Sequence, residues 1–259
     1  MGRLSVKRQL GRIWPANTKN RKIILLYHSV GESSWAMNED IFLEQINWLH
    51  ENHQILPLTQ LIESKPSDKI QISLTFDDGY KTLYDHVFPI LLQKKINATV
   101  YINTGWISED AKDRKKSCPE LGHYPEEYFL TWHEVKHLSK NYWEIGSHGI
   151  NHDNFQKMKE DIIERELMQS KIEIEKKISK KCLHFSYPFG LYSNRVKNKV
   201  KEASYQYATA ARHGRLLPGS DHLALPRINV SKDYSLDDFK NIVSGKWDYL
   251  GWAQKIKGL

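Results

Sequence analysis

The 259-residue chain has only two cysteines, Cys118 and Cys182, and no Cys-x-x-Cys pair. That argues against a thiolate zinc finger and against a fold stapled by disulfides, leaving room for one incidental bridge at most. Long apolar runs are missing too. After the basic opening MGRLSVKRQLGRIWPANTKNRK, the first such run, IILLY, covers only residues 23 to 27. It is too short for the core of a signal peptide and far too short for a membrane span. A cytoplasmic protein is therefore expected, with Arg3, Lys7, Arg8 and Arg12 available for a peripheral contact with the inner membrane face. There are no internal repeats, no Pro/Gly/Ser-rich linker and no block of one charge, since 38 Lys and Arg are interspersed with 31 Asp and Glu for a net charge of +7. This spread weakly favours an anionic partner or surface and speaks against sequence-specific nucleic-acid binding.

What remains is an ordinary globular composition, 40% apolar and 11% aromatic, sufficient for a sizeable core in one domain. Residues 1–20 read as a basic N-terminal extension and 21–259 as that domain. Short, mostly apolar runs at 23–27, 71–76, 98–102, 143–147, 183–187, 206–210 and 224–230 have the character of buried parallel strands. Amphipathic stretches at 39–51, 81–94 and 161–178 lie between them, the pattern of successive βα units. About seven strands so arranged predict an α/β fold that is barrel-like rather than an open doubly wound sheet. Thr131 with Glu134 forms a capping-box signature for a short helix, and Pro89 should kink the 81–94 helix or confine its regular part to one side. Residues 108–128 show no period and read as a long surface insertion, a kind of loop that often borders a cleft.

Chemistry-bearing residues gather where strands are predicted to end. LTFDDGY, residues 74–80, places Asp77 and Asp78 beyond an alternating run, at the edge where ligands bind in α/β folds. An isolated Asp-Asp-Gly is more often a plain turn. EIGSHGINH, residues 144–152, follows a second strand with His148 and His152 four apart. On a helical turn they would share a face, and with a carboxylate they would form a two-histidine, one-carboxylate set with open positions, as a catalytic zinc or iron requires. Among 12 histidines such spacings also arise by chance; His133 and His137, inside the capped helix, read as surface. FSYPFG, residues 185–190, ends a third strand in a proline turn that can aim backbone N–H groups outward, although an aromatic turn without function is commoner. His28 stands just past the first strand; such a histidine is usually structural, but facing a metal pocket it would serve as a general acid. Candidates that share one rim strengthen one another.

TFDDG, SHGINH and SYPFG in this order resemble the motifs of the polysaccharide deacetylase family, the NodB-homology or carbohydrate esterase family 4 domain. The resemblance runs from about residue 27 to 230 and includes LTWHEVKHL ahead of EIGSH. It implies a distorted (β/α) barrel and a metal-dependent hydrolase that removes acetyl groups from acetamido sugars. By position it implies Asp77 as catalytic base, Asp78, His148 and His152 as metal ligands, and the Phe189 backbone N–H as oxyanion donor. The metal expected first is Zn2+, with iron, nickel and cobalt compatible with the same ligands. Two departures stand out. Ser186 occupies the place of the arginine in the family's Arg-x-Pro-Tyr motif, so Arg227 of LPRINV is the candidate substitute, with a surface or salt-bridged arginine as an equal alternative. The Leu-x-His motif is absent after Val230, while Tyr27-His28 fits a variant in which an N-terminal Tyr-His supplies the acid. His28 is thus the expected general acid.

The expected partner is an N-acetylated glycan or sugar. A lipid-linked or nucleotide-linked sugar at the membrane face, a non-carbohydrate amide, and a glycan-binding module without catalysis are the alternatives. Trp106, Trp132 and Tyr192 are candidates for stacking on sugar rings, with core packing as the rival use.

Overall fold

A computed structural model describes residues 3 to 256. Residues 1, 2 and 257 to 259 of the expected spans, and the side chain of Arg3, lie outside the described residues. The chain opens with helix α1 (Arg3–Ile13) and then enters β1 (Lys22–Tyr27), followed by α2 (Glu39–Asn52), β2 (Gln54–Ile55), α3 (Leu58–Glu63) and β3 (Gln71–Phe76). A wide π turn over Leu83–Val87 passes into α4 (Phe88–Gln93), where Pro89 sits in the first turn. The regular part of the 81–94 stretch is thus confined to one side, as expected of Pro89, because proline brings no N–H to the preceding ladder but fits a helix start. Next come β4 (Thr99–Ile102), α5 (Trp132–Lys140), β5 (Glu144–Ser147) and α6 (Glu160–Ile178). The second half runs through β6 (His184–Ser186), α7 (Asn194–Glu202), β7 (Tyr207–Thr209), β8 (Ile228–Asn229), α8 (Leu236–Val243) and α9 (Tyr249–Ile256). The capping box of Thr131 and Glu134 is formed.

The strands pair in the order β7-β6-β5-β4-β3-β1-β8, every ladder parallel, with the two-residue β2 added beside β3. Seven of them are the seven runs expected; β2 is too short to leave a periodic signal. The last run, expected as one strand over 224–230, is bent across the seam. Leu225 bridges to Thr209 of β7, while Ile228 and Asn229 pair with Leu25 and Leu26 of β1. A strongly curled sheet of this kind is the distorted (β/α) barrel.

Alternation along β1 sends Ile23, Leu25 and Tyr27 outward into the main core beneath the helices, and Ile24 inward to a second cluster with Tyr101, Tyr207 and Leu225. Above that plug the interior turns polar, with Thr75, Thr209, Ser186 and Arg227 all fully buried. Helix α1 is docked against the domain. Gly11 lies so close to Trp247 that an added Cβ would stand 2.4 Å from the indole nitrogen, and Arg8 forms a forked pair with Asp238. Lys7 bonds the hydroxyl of Tyr234 at 2.8 Å. Arg12 is exposed. No described helix is long and apolar enough to cross a membrane.

Candidate active site

The carboxyl ends of β1, β3, β5 and β6 open into one cavity of about 500 Å3, lined among others by His28, Asp77, Asp78, His148, His152, Phe189 and Arg227. The seven residues expected to act in catalysis or metal binding therefore meet at one rim. Beyond β3 the chain turns sharply through two left-handed residues, Asp78 at φ +71° and Gly79 at φ +77°. Aspartate tolerates that region, whereas position 79 needs glycine twice over, because a Cβ there would also lie 2.8 Å from Ile102 Cγ2. The Asp-Asp-Gly stretch is both a turn and the means by which two adjacent carboxylates face the barrel axis.

Asp77 is held by residues at two other strands, one on each side of β3 in the sheet order. Arg227 grips it in a fork, Nη1 to Oδ1 and Nη2 to Oδ2, each at 2.7 Å. The Ser186 hydroxyl accepts from Arg227 Nη2 at 2.9 Å and donates to Asp77 Oδ2 at 3.2 Å. Arg227 Nε donates to the Ala210 carbonyl, and the guanidinium lies over the Tyr101 ring at 5.6 Å. Burial alone would raise the Asp77 carboxyl; Arg227 and then His148 outweigh it, and it stays ionised well below the usual carboxylate range. Arg227, weighed from the sequence as a substitute arginine or as a surface or salt-bridged one, is buried and salt-bridged to Asp77.

His148 and His152 converge, though not through a helical turn as their spacing suggested. Residues 148–152 form an irregular turn with Gly149 at φ +84° and His152 at φ +66°. The buried Glu166 of α6 holds that turn, accepting from the amides of Ile150 at 2.6 Å and Asn151 at 3.2 Å and from the Asn151 side chain at 2.9 Å. Each imidazole is oriented by a carbonyl: His148 Nδ1 donates to Ser186 O and His152 Nδ1 to Leu121 O, both at 2.7 Å. A carbonyl only accepts, so Nδ1 carries the hydrogen and Nε2 presents a lone pair. Burial pushes His148 down to about 4, which keeps it neutral at physiological pH.

Both Nε2 atoms face Asp78 Oδ1, from 3.6 Å for His148 and 3.5 Å for His152. These gaps exceed a good hydrogen bond, and Asp78 Oδ1 is a buried oxygen without a hydrogen-bond partner. One donor atom from each of the three residues lies within 4.8 Å of the other two. An orphaned carboxylate oxygen opposite two aligned lone pairs is the donor set a divalent zinc-like cation takes, and the carbonyls behind the imidazoles are the outer support such ligands need. The residues fit a metal.

His28 stacks on Tyr124 at 5.3 Å on the same cavity wall. The ring of Phe189 covers His152 at 4.6 Å, and its backbone sits at φ +60°. Among the described residues the Phe189 amide has no backbone acceptor, whereas those of Gly190 and Leu191 bond back to Tyr187 and Pro188.

Of the two uses weighed for the three aromatic residues, packing is the one the structure shows. Trp132 is a fully buried core residue, Trp106 packs between His123 and Phe129, and Tyr192 stacks on Tyr187; none of them lines the cavity. Tyr124 lies inside the 108–128 insertion, which therefore contributes to the site and, through Leu121, orients a histidine. Lys7 of α1 and Leu250, Ala253 and Gln254 of α9 close the far wall, together with His213. Cys118 and Cys182 are both free thiols.

A family model described as polysaccharide deacetylase matches residues 64–208. A poly-beta-1,6-N-acetyl-D-glucosamine N-deacetylase of Staphylococcus aureus is 26% identical over 249 residues, spanning 92% of this chain and 80% of that protein. Two solved structures share the fold. The Streptococcus pyogenes deacetylase PplD in complex with acetate superposes with a TM-score of 0.72 at 21% identity, over 87% of this chain and 99% of that one. IcaB from Ammonifex degensii gives 0.73 at 17% identity, over 90% and 98%.

Proposed function

The chain belongs to the polysaccharide deacetylase family, and from that premise we propose that it hydrolyses the N-acetyl amide of an acetamido sugar within a glycan, releasing acetate and a free amine, with a divalent metal held by Asp78, His148 and His152. The observation that carries this reading is the convergence of those three donors beside an Asp77 locked ionised by Arg227. A metal there supplies Lewis acidity, polarising an amide carbonyl and making water a better nucleophile near neutral pH. Asp77 is placed to accept the proton of the attacking water, and Arg227 with Ser186 keeps it charged and fixed. The free N–H of Phe189 donates to the oxygen on which negative charge develops. His28, steadied by Tyr124, gives a proton to the departing sugar nitrogen, since an amine leaves only once protonated. The staphylococcal relative is named for poly-beta-1,6-N-acetyl-D-glucosamine, which makes that polymer the first to try.

The test is acetate release from a panel of N-acetylated sugars and oligomers, run on protein as purified, after chelation, and after adding back Zn2+ or other divalent ions. Release that chelation abolishes and metal restores is expected. No release from any member with metal present would overturn the proposal.

A further inference from the structure

Two hollows meet at His28. Beside the main cavity, a second one of about 220 Å3 shares His28, Tyr124 and Asn229 with it and is lined further by Trp35 and residues 231–233. Trp35 is 52% exposed. Its ring lies 6.1 Å from Tyr124, which in turn stacks on His28, so an aromatic run leads from open solvent to the candidate acid.

A single exposed tryptophan is ordinary in itself, but this one is held in place. The loop after β1 closes on itself through Met37 N to Ser29 O at 3.0 Å and Gly31 N to Met37 O at 2.8 Å. The hydroxyls of Ser29 and Ser33 both donate to the buried Glu127 carboxylate at 2.7 Å, and Lys232 reaches across to the Ser34 carbonyl at 2.7 Å. An ordered loop thus keeps a large apolar face in water, giving up the burial that face would gain in a core. Around it stand polar groups from Asn229, Ser231, Lys232 and Asp233. A flat aromatic surface edged by polar residues matches a pyranose ring, which has C–H groups on its faces and hydroxyls at its edge.

We propose that this second hollow is a subsite for the sugar unit next to the one being deacetylated, with Trp35 as its stacking platform, so that the substrate spans at least two units. The inference rests on the function proposed above and adds to it the residue that would hold the neighbouring unit of the glycan.

The test compares wild-type protein with Trp35→Ala and Trp35→Phe on N-acetylglucosamine and on its β-1,6-linked pentamer. Trp35→Ala is expected to lower kcat/KM for the pentamer about tenfold, with most of it recovered in Trp35→Phe and little change for the monomer. An equal loss on both substrates, or none on the pentamer, would overturn the subsite. Calorimetric titration of the pentamer into each protein gives a readout that needs no turnover. If no acetate is released at all, the proposed function fails while the subsite is still decided, by weaker pentamer binding to Trp35→Ala for it and unchanged or absent binding against it.

Discussion

The fork between Arg227 and Asp77 makes a quantitative demand on the protein. Both residues are buried, the arginine completely, and the pair is closed by two 2.7 Å contacts. Removing one partner of a buried ion pair leaves the other charge uncompensated, at a cost of about 3–5 kcal/mol. Arg227→Met should therefore destabilise the fold by that amount, roughly 6–20 °C in Tm at the scale of about 2–4 °C per kcal/mol for a chain of this size. Asp77→Asn leaves the guanidinium stranded and should cost a similar amount. The double variant removes both charges together, so its loss should fall short of the sum by about 2–3 kcal/mol. Urea or thermal denaturation of the four metal-free proteins at neutral pH closes the cycle. Arg227→Lys, which keeps the charge but loses the fork, should lie between wild type and Arg227→Met in both stability and turnover. Single losses below about 0.5 kcal/mol that simply add would show that the contact carries no such energy, and with it that Asp77 owes nothing to Arg227.

Other outcomes follow from neighbouring contacts. His148→Ala should lose bound metal and at least about 100-fold in turnover while keeping the wild-type circular dichroism; full metal content would refute its place among the ligands. Glu166→Gln should loosen the turn that carries His152 and weaken metal affinity by about 10–100-fold in chelator competition, without touching the metal itself. His213 is pushed by burial from 6.5 to about 4, with Asp248 opposing and Arg21 and Lys7 reinforcing the fall. A neutral buried imidazole contributes stability that is complete above pH 6.5 and is lost as pH falls toward 4, by ~3 kcal/mol at most. His213→Gln should flatten the stability profile of the metal-free protein in that window, and an unchanged slope would refute the assignment.

The strand ends were legible because each motif is local: a buried strand advertises itself by its apolar run, and the residues just past it project from the sheet edge. His28, Asp77, Asp78, His148 and Phe189 are all found in this way. What brings them to working geometry is not local. The partners of Asp77 lie 109 and 150 positions away, and no periodicity reports a contact of that range. The spacing of His148 and His152 was informative for the wrong reason, since left-handed residues and Glu166, not a helical turn, align the rings. Helix α1 has no apolar signal in the sequence at its close contact, because that contact is made by Gly11, which has no side chain. Sequence alone does not separate an aromatic ring that meets sugar from one that packs inside, and Trp132 shows how readily the core claims such residues.

The clamp formed by Arg227, Ser186 and Asp77 ties together two positions that lie 41 residues apart. Both are sealed from solvent, and the guanidinium lies close enough to the serine to bond its hydroxyl. Placing an arginine at 186 alone would crowd two cations onto one acid in a dry space, and deleting Arg227 alone would leave that acid unguarded. Moving the arginine from 227 to 186 thus has to change both sites at once, and a designer who altered them one at a time would break the clamp at the first step.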